Sequence, residues 1–285
     1  MSIVFLGKEI PLYGLFFFIG VFVAGGIAAL ICKKRGIAIF DLVSSAVFTM
    51  IFAIVGAKLL FVIVSMDYII EVFNIEGLSI TDKIGAVLNG GFVFYGGFIG
   101  GFAGLVVYCK AFKEKLWKYL DIYATVLPLG HAFGRVGCFF GGCCYGMPYD
   151  GIFSYTYEGP LIGKTPIGVP LFPVQLFEAG CLVLIFAAMM VIFFKTKEKY
   201  HLTVFGYLAS YCVVRFVLEF FRGDKERGGA FFLSTSQIIS ILIALFTAGY
   251  ILWSVWLKDK IMAKKACACG EAESEKSLGE SDSEK

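Results

Sequence analysis

Charge is scarce in this chain. Only 16% of its 285 residues are Asp, Glu, Lys or Arg, where a soluble domain carries about 25%. Hydrophobic residues make up 59%, against about 45–50% in soluble proteins, and the mean hydropathy is +0.83. There is too little polar surface to face water on every side, which excludes an ordinary soluble globular protein. Bilayer rules replace core-burial rules. No basic tract interleaved with aromatics is present, so nucleic acid is not an expected partner. The net charge of +3 is uninformative by itself. The nine cysteines are odd in number and lack the spacing of a small disulfide framework. Cys32, Cys109, Cys181 and Cys212 lie within or at the ends of apolar runs and read as small hydrophobes. No fixed-period repeat appears. The first apolar run is long and its basic cluster, Lys33-Lys34-Arg35, follows it rather than preceding it, unlike a signal peptide, so it is expected to be retained.

Long apolar runs are what the chain has instead. A hydrocarbon core needs about 20 apolar residues per helix. Seven runs meet or approach that: Leu12–Cys32, Leu42–Met66, Phe92–Cys109, Ile122–Phe140, Val174–Phe194, Leu202–Phe221 and Phe231–Leu257. The 31 phenylalanines suit lipid-facing surface. Basic clusters follow the first, third, fifth and seventh runs: Lys33-Lys34-Arg35, then Lys110 to Lys118, Lys195 to Lys199, and Lys258 to Lys265. The alternate loops are poor in Lys and carry Asp67, Glu71, Glu76, Asp82, Asp150 and Glu158. This alternation predicts an all-α, polytopic membrane protein with seven transmembrane helices, the N-terminus outside and the C-terminus cytoplasmic. One membrane domain is expected over residues 1–257, followed by a basic juxtamembrane segment and an acidic, disordered tail over 258–285. Cys267 and Cys269 in that tail read as reduced cytosolic thiols.

Charged residues inside a membrane are costly and are functional candidates by default. The topology places them together. Tyr13, Lys58, Tyr95, His131, Arg135, Gln175, Glu178, Arg215, Glu219 and Arg222 all fall toward the outer ends or outer halves of their runs. No charge remains for the inner half, which argues against an ion pathway. Tyr207, Tyr211, Arg215 and Glu219 follow i, i+4 spacing, with Arg222 three residues on, so they share one helix face. That string reads either as a structural ion-pair lock or as a device that holds guanidinium groups in place. The Gly-x-x-x-Gly spacings among Gly90–Gly104 indicate close helix packing, though glycines also let a backbone approach a lipid headgroup.

The segment His131–Gly146 reads HAFGRVGCFFGGCCYG. Five glycines within Gly134–Gly146 predict broken helix, and non-helical backbone at membrane depth must line a cavity or lie inside protein. Arg135 in that setting suits a phosphate or carboxylate, and the natural anion at a membrane face is a phospholipid headgroup. Cys138, Cys143 and Cys144 leave three readings open. The first is a bridge from Cys138 to Cys143 or Cys144. The second is a metal site completed by His131. The third is a reactive thiol activated by Arg135.

At these residues the chain resembles the prolipoprotein diacylglyceryl transferase family, over about residues 11–257. Tyr13-Gly14 after Pro11-Leu12 is similar to its opening Tyr-Gly, and GFVFYGGFIGG (Gly91–Gly101) to its third-helix glycine motif. Gly134-Arg135-Val136-Gly137 resembles the start of its signature and Gly146 the end. PVQLFEA (Pro173–Ala179) and RFVLEFFRGD (Arg215–Asp224) resemble two further stretches. The resemblance implies an enzyme of lipoprotein maturation in the bacterial cell membrane. Such an enzyme transfers the diacylglyceryl group of phosphatidylglycerol to the lipobox cysteine thiol of preprolipoproteins. The product is a thioether and the leaving group is glycerol-1-phosphate.

It implies no cofactor. It implies that Arg135 binds the lipid phosphate and that Arg215 assists the leaving group. Glu219 and Arg222 would orient the headgroup, with Tyr13, Gly146, Gln175 and Glu178 in the binding site. The family usually has His where this chain has Tyr95, Asn where it has Cys138 and Glu where it has Cys143. Tyr95 and His131 are therefore both candidates for the base that generates thiolate. The alternatives are a lipid-binding or transport protein, and a thiol-redox or metal protein, on the same scaffold.

Overall fold

The computed structural model describes residues 2–5, 8–159, 161, 165–195, 201–224, 229–230, 233–250 and 252–253. The expected tail, residues 258–285, lies outside them. The chain is mostly helical. It runs β1 (Ser2–Phe5), β2 (Lys8–Pro11), α1 (Leu12–Lys34), α2 (Ile39–Val64), α3 (Met66–Asn74), α4 (Ile80–Asn89), α5 (Phe94–Ala111) and α6 (Leu116–Gly141). Then follow β3 (Tyr155–Thr156), β4 (Pro170–Leu171), α7 (Val174–Lys195), α8 (Leu202–Glu219), β5 (Gly229–Ala230), β6 (Leu233–Ser234) and α9 (Thr235–Tyr250). The strands form three antiparallel two-stranded ribbons, β1 with β2, β3 with β4 and β5 with β6.

Each expected apolar run contains a helix. Among the described residues four of them, α1, α2, α7 and α8, are long and apolar enough to cross a membrane. The protein is thus a polytopic membrane protein. The remaining runs also contain helices. The α5 run is rich in glycine, and α6 carries Pro128, His131 and Arg135. The helix α9 is described over a shorter stretch. Pro128 has no N–H to give the Ala124 carbonyl one turn back.

Two compact units can be separated: Phe22–Val126, and Met1–Val21 together with Leu127–Lys285. In the Phe22–Val126 unit, α2 and α5 pack backbone against backbone. A Cβ on Gly56 or Gly96 would strike the carbonyl oxygen of the other, and one on Gly100 would strike that of Phe52. The close-packing reading of the glycine motif is therefore the one this helix pair displays. Without a hydrophobic gradient between helices and lipid, such approach is how dispersion contacts accumulate. Beyond it lies a cluster of Leu105, Tyr108, Cys109 and Tyr119. The polar Ser45 is fully buried and shares a 2.7 Å hydrogen bond with the Tyr123 hydroxyl.

The short helices α3 and α4 lie between α2 and α5. Ser79 caps α4, its Oγ accepting from the Asp82 N–H at 3.2 Å. Lys58 closes the other end, donating to the carbonyls of Leu88, Gly90 and Gly91 at 3.0, 3.0 and 3.4 Å. A cation at a helix C-terminus is favourable. Lys58 was expected among the functional charges, and its ammonium has a structural occupation instead.

In the other unit, Tyr13 lies on a small-residue face of α6. A Cβ on Gly137 would meet the Tyr13 carbonyl oxygen at 3.1 Å, and one on Gly141 the Tyr13 Cβ at 3.6 Å. One turn on, Phe16 stacks on Phe140 with ring centroids 5.1 Å apart. Ala132, Ala179 and Leu182 pack between α6 and α7, joined by Val136 and Tyr211. After α6 the chain folds over its end: Tyr157 is buried and its hydroxyl donates to the Phe139 carbonyl at 3.0 Å.

Candidate functional site

The segment expected to be broken helix is helical as far as Gly141. The reading of non-helical backbone over Gly134–Gly146 is corrected for its first half, residues 134–141, where Gly137 and Gly141 lie against Tyr13 and the helix continues. The break comes at Gly142, with φ 64°, and Cys144, with φ 57°. Between them the Cys143 N–H returns to the Cys138 carbonyl at 3.1 Å. The signature thus splits into a helical half, which carries Arg135, and a turn, which carries the thiols.

Gly146 explains why the chain must come back at this point. It pairs with Arg222 in an isolated antiparallel bridge. On either side the Met147 N–H reaches the Phe221 carbonyl at 2.8 Å and the Gly223 N–H reaches the Tyr145 carbonyl at 3.0 Å. The Phe172 N–H in turn reaches the Met147 carbonyl at 3.0 Å. Three segments, 145–149, 170–172 and 221–223, are laced together with no room for a side chain. A Cβ on Gly146 would overlap the Phe172 carbonyl, and one on Gly223 would overlap that of Gly146. Gly146 acts as a structural junction that fixes α6, α7 and the end of α8.

That junction gathers the charges. Glu178 on α7 is 1% exposed. Its Oε1 accepts from Arg135 Nη2 on α6 at 3.0 Å and from the Tyr211 hydroxyl on α8 at 3.1 Å. Its Oε2 lies 4.0 Å from Arg215 Nη1. Arg215 Nη2 is paired with Glu219 at 2.6 Å and donates to Ser236 Oγ at 3.0 Å. Arg222 forms a two-pronged pair with Asp224, at 2.9 Å from Nε and 2.7 Å from Nη2, and its Nε lies 3.9 Å from Glu219. The Arg–Glu–Arg string is real, and it continues on both sides, to Glu178 and Arg135 and to Asp224.

The arrangement leaves donors over. Arg135 Nε, Arg215 Nη1 and Arg222 Nη1 are buried without a hydrogen-bond partner. Buried polar groups are ordinarily satisfied, and each exception calls for an explanation. Three such nitrogens, on three guanidinium groups ion-paired through their other nitrogens to Glu178, Glu219 and Asp224, suit an oxyanion that supplies further acceptors.

The other expected residues are placed as follows. Gln175 is 1% exposed and donates from Nε2 to the Cys143 carbonyl at 2.9 Å, tying the turn to α7. His131 sets its ring edge-on to that of Tyr211 at 5.1 Å. Tyr95 opens α5 in the Phe22–Val126 unit and is 42% exposed. The sulfurs of Cys138, Cys143 and Cys144 all lie within 4.8 Å of one another. His131 is not a member of that group. The Cys143 thiol donates to the Cys138 carbonyl at 3.7 Å, and the neighbouring thiols of Cys138 and Cys143, with Arg222 and Arg135 near, hold the Cys144 pKa below the usual thiol value. Hydrogen bonding to Cys138 and Cys144, together with burial, pushes that of Cys143 up.

Three participants went unread in the sequence. Ser236, the partner of Arg215, follows a helix start that Ser234 and Gln237 mark. Ser234 N–H donates to Gln237 Oε1 at 3.0 Å and Gln237 N–H to Ser234 Oγ at 3.2 Å. The Ser-x-x-Gln spacing is a readable cap signal. Asp224 could be read as the acid nearest Arg222. Tyr157 carries no local signal, because its role depends on a loop folding back over α6.

A profile described as prolipoprotein diacylglyceryl transferase matches residues 2–253. The chain belongs to the prolipoprotein diacylglyceryl transferase family. A protein of Clostridium tetani named phosphatidylglycerol–prolipoprotein diacylglyceryl transferase is 34% identical over 244 residues, which cover 84% of this chain and 92% of the relative. A second, of Clostridium perfringens, is 31% identical and covers 91% of this chain and 94% of the relative. One of Acinetobacter baumannii is 29% identical over 87% and 88%.

Proposed function

We propose that this protein transfers the diacylglyceryl group of phosphatidylglycerol to the lipobox cysteine thiol of preprolipoproteins in the bacterial inner membrane. The observation that carries the reading is the trio of buried, partner-less guanidinium nitrogens on Arg135, Arg215 and Arg222. The transfer forms a C–S bond at a glycerol carbon while the C–O bond to phosphate breaks. Negative charge grows on the departing glycerol-1-phosphate. Preset cationic donors stabilise that growing charge more than they stabilise the ground-state phosphodiester, which is how they accelerate the step.

In this reading Arg135 holds the donor phosphate, and Arg215 meets the charge as it leaves. Glu178 and Glu219 fix both guanidinium groups, and Arg222 with Gly146 closes the headgroup end. Tyr13 contributes from α1, and Gln175 holds the turn. Tyr95 and His131 are the candidates for a proton-accepting side chain. The helices cross the membrane as seven spans with the N-terminus outside and the C-terminus cytoplasmic. The Lys/Arg alternation supports this, and it puts the arginine cluster on the outer side, where signal peptides of exported precursors emerge.

The test uses purified protein in phosphatidylglycerol vesicles with a radiolabelled diacylglyceryl group and a lipobox peptide. Wild-type protein labels the peptide and Arg135→Ala does not. Absence of transfer by wild-type protein overturns the activity while family membership stands. Growth of a strain whose own diacylglyceryl transferase has been removed tests the same reading in the cell.

A further inference from the structure

We infer that Cys138, Cys143 and Cys144 form a three-thiolate zinc site whose open fourth position takes the acceptor thiol. Its second half rests on the transferase reading, and its first half does not.

The geometry is close to what the metal needs. Tetrahedral zinc with Zn–S bonds of about 2.3 Å sets its sulfurs roughly 3.8 Å apart. The three sulfurs already lie within 4.8 Å of one another, and rotation of the side chains about χ1 closes the remainder. The backbone is preset before any ion arrives. Cys143 N–H returns to the Cys138 carbonyl, and the Cys144 backbone sits in the left-handed region. Gln175 holds the Cys143 carbonyl and Thr165 holds that of Gly142. All three cysteines are half-buried, so the ion has a way in and the water around it is limited. Soft thiolate donors select zinc over magnesium or calcium.

Charge fits as well. Three thiolates and one zinc(II) carry a net charge of −1. Arg222 lies against Cys144, and Arg135 stands on α6 one turn before Cys138. Structural zinc sites are closed by four protein ligands, and catalytic ones use three and keep a position free. Among the described residues the group has three members.

The cluster also offers a route to thiolate that needs no side-chain base. Transfer to a thiol requires thiolate, yet Glu178, Glu219 and Asp224 are all engaged with guanidinium groups. A thiol that coordinates a metal is deprotonated outright. The acceptor thiol binds through sulfur and releases its proton to water. Its electron pair then forms the C–S bond as the C–O bond breaks, and both electrons of that bond leave with glycerol-1-phosphate. No atom changes oxidation state, and the three cysteines keep the metal.

The experiment uses full-length protein purified under reductant, with Cys267→Ser and Cys269→Ser introduced so that the tail thiols cannot compete. Elemental analysis is expected to find one zinc per chain. Cobalt(II) titrated into stripped protein is expected to give thiolate charge-transfer absorption and the visible bands of a tetrahedral ion. Cys138→Ser and Cys143→Ser should each weaken cobalt binding at least tenfold. A cysteine lipobox peptide in phosphatidylglycerol vesicles should shift the visible bands, and the serine peptide should not. Reduced protein that binds neither metal, with its thiols fully titratable, overturns the site. So does metal retained undiminished in the triple serine variant. Because the cobalt titration needs only the cysteine-intact protein, a variant that fails to fold does not decide the result. Metal binding with no spectral response to the cysteine peptide overturns the acceptor half. Peptide labelling by the wild-type protein decides the transferase reading by itself, so a protein that labels the peptide yet binds no metal fails the zinc site alone.

Discussion

Glu178→Gln removes one charge and keeps the shape of the side chain. In the folded protein Glu178 is 1% exposed and faces Arg135 at 3.0 Å, Tyr211 at 3.1 Å and Arg215 at 4.0 Å. At an effective dielectric of about 20, a pair at the first of these distances attracts by about 5 kcal/mol. Desolvation of both groups offsets much of that, but removing only one partner of a buried pair costs about 3–5 kcal/mol because the other charge is stranded. The stranded group is Arg135, so the variant loses stability when no lipid is bound. A bound phosphate supplies the missing anion, so phosphatidylglycerol should raise the thermal midpoint of the variant more than that of the wild type. Transfer behaves differently. Arg135 and Tyr211 are no longer held in register, and a drop in kcat of about 100-fold corresponds to about 2.7 kcal/mol of lost transition-state stabilisation. The expected pattern is a lower kcat, an unchanged or lower KM, and a lower midpoint that lipid restores. Wild-type kcat in a well-folded Glu178→Gln protein, or an effect confined to KM, refutes the assignment of Glu178 as the residue that positions the arginines.

Other perturbations test other parts of the structure. Gly146→Ala drives a Cβ into the Phe172 carbonyl. It should cost at least the roughly 1–3 kcal/mol of an overpacked site and abolish transfer, read by thermal unfolding and peptide labelling. Gly100→Ala should destabilise α2 against α5 by a similar amount, whereas Gly25→Ala, with nothing within 4 Å of the added methyl, should be silent in the same unfolding assay. Lys58→Met removes three hydrogen bonds at the end of α4. It should cost about 1.5–3 kcal/mol for the charged donor, seen as faster amide exchange in residues 80–91. His131→Phe keeps the ring packing on Tyr211 and should retain most of the transfer rate, while His131→Ala loses about tenfold. Loss of all transfer in both variants would make the imidazole itself the proton acceptor.

Hydropathy made the helices legible because lipid demands the same thing of every span, about 20 apolar residues with internally paired backbone. The starts of α1, α7 and α8, at Leu12, Val174 and Leu202, coincide with the first residues of their apolar runs. Local composition misled at Gly134–Gly141. Five glycines in thirteen residues read as a broken helix, yet Gly137, Gly141 and Gly146 each have a close neighbour and Gly142 makes the turn. Gly137 and Gly141 accept Tyr13 from α1 and the helix continues. Helix propensity is a weak preference, and a close packing partner overrides it.

The charges were legible for a related reason: a guanidinium in lipid needs an anionic partner, so its presence in an apolar run predicts convergence. Periodicity placed Arg215, Glu219 and Arg222 on one helix face; Arg215 and Glu219 do share a face of α8, while Arg222 lies just past its end, in the bridge to Gly146, and still reaches Glu219. What could not be read was which carboxylate joins the elements. Glu178 sits alone in α7, four residues after the α7 start, and nothing local distinguishes it from a simple satisfied charge. Its part is set by Gly146, thirty-two residues earlier, where the absence of a side chain lets residues 145–149, 170–172 and 221–223 lie in contact. A glycine chosen for a collision it avoids leaves no periodic trace in sequence. The same holds for the cysteines. Their spacing left a bridge, a metal and a reactive thiol open, and only the turn at Gly142 and Cys144 brings all three sulfurs to one place. Bridging any two would leave the third alone beside Arg222 and Arg135, whereas a shared ion engages all three and draws on both guanidinium groups. That difference is why counting bound metal discriminates better than counting thiols.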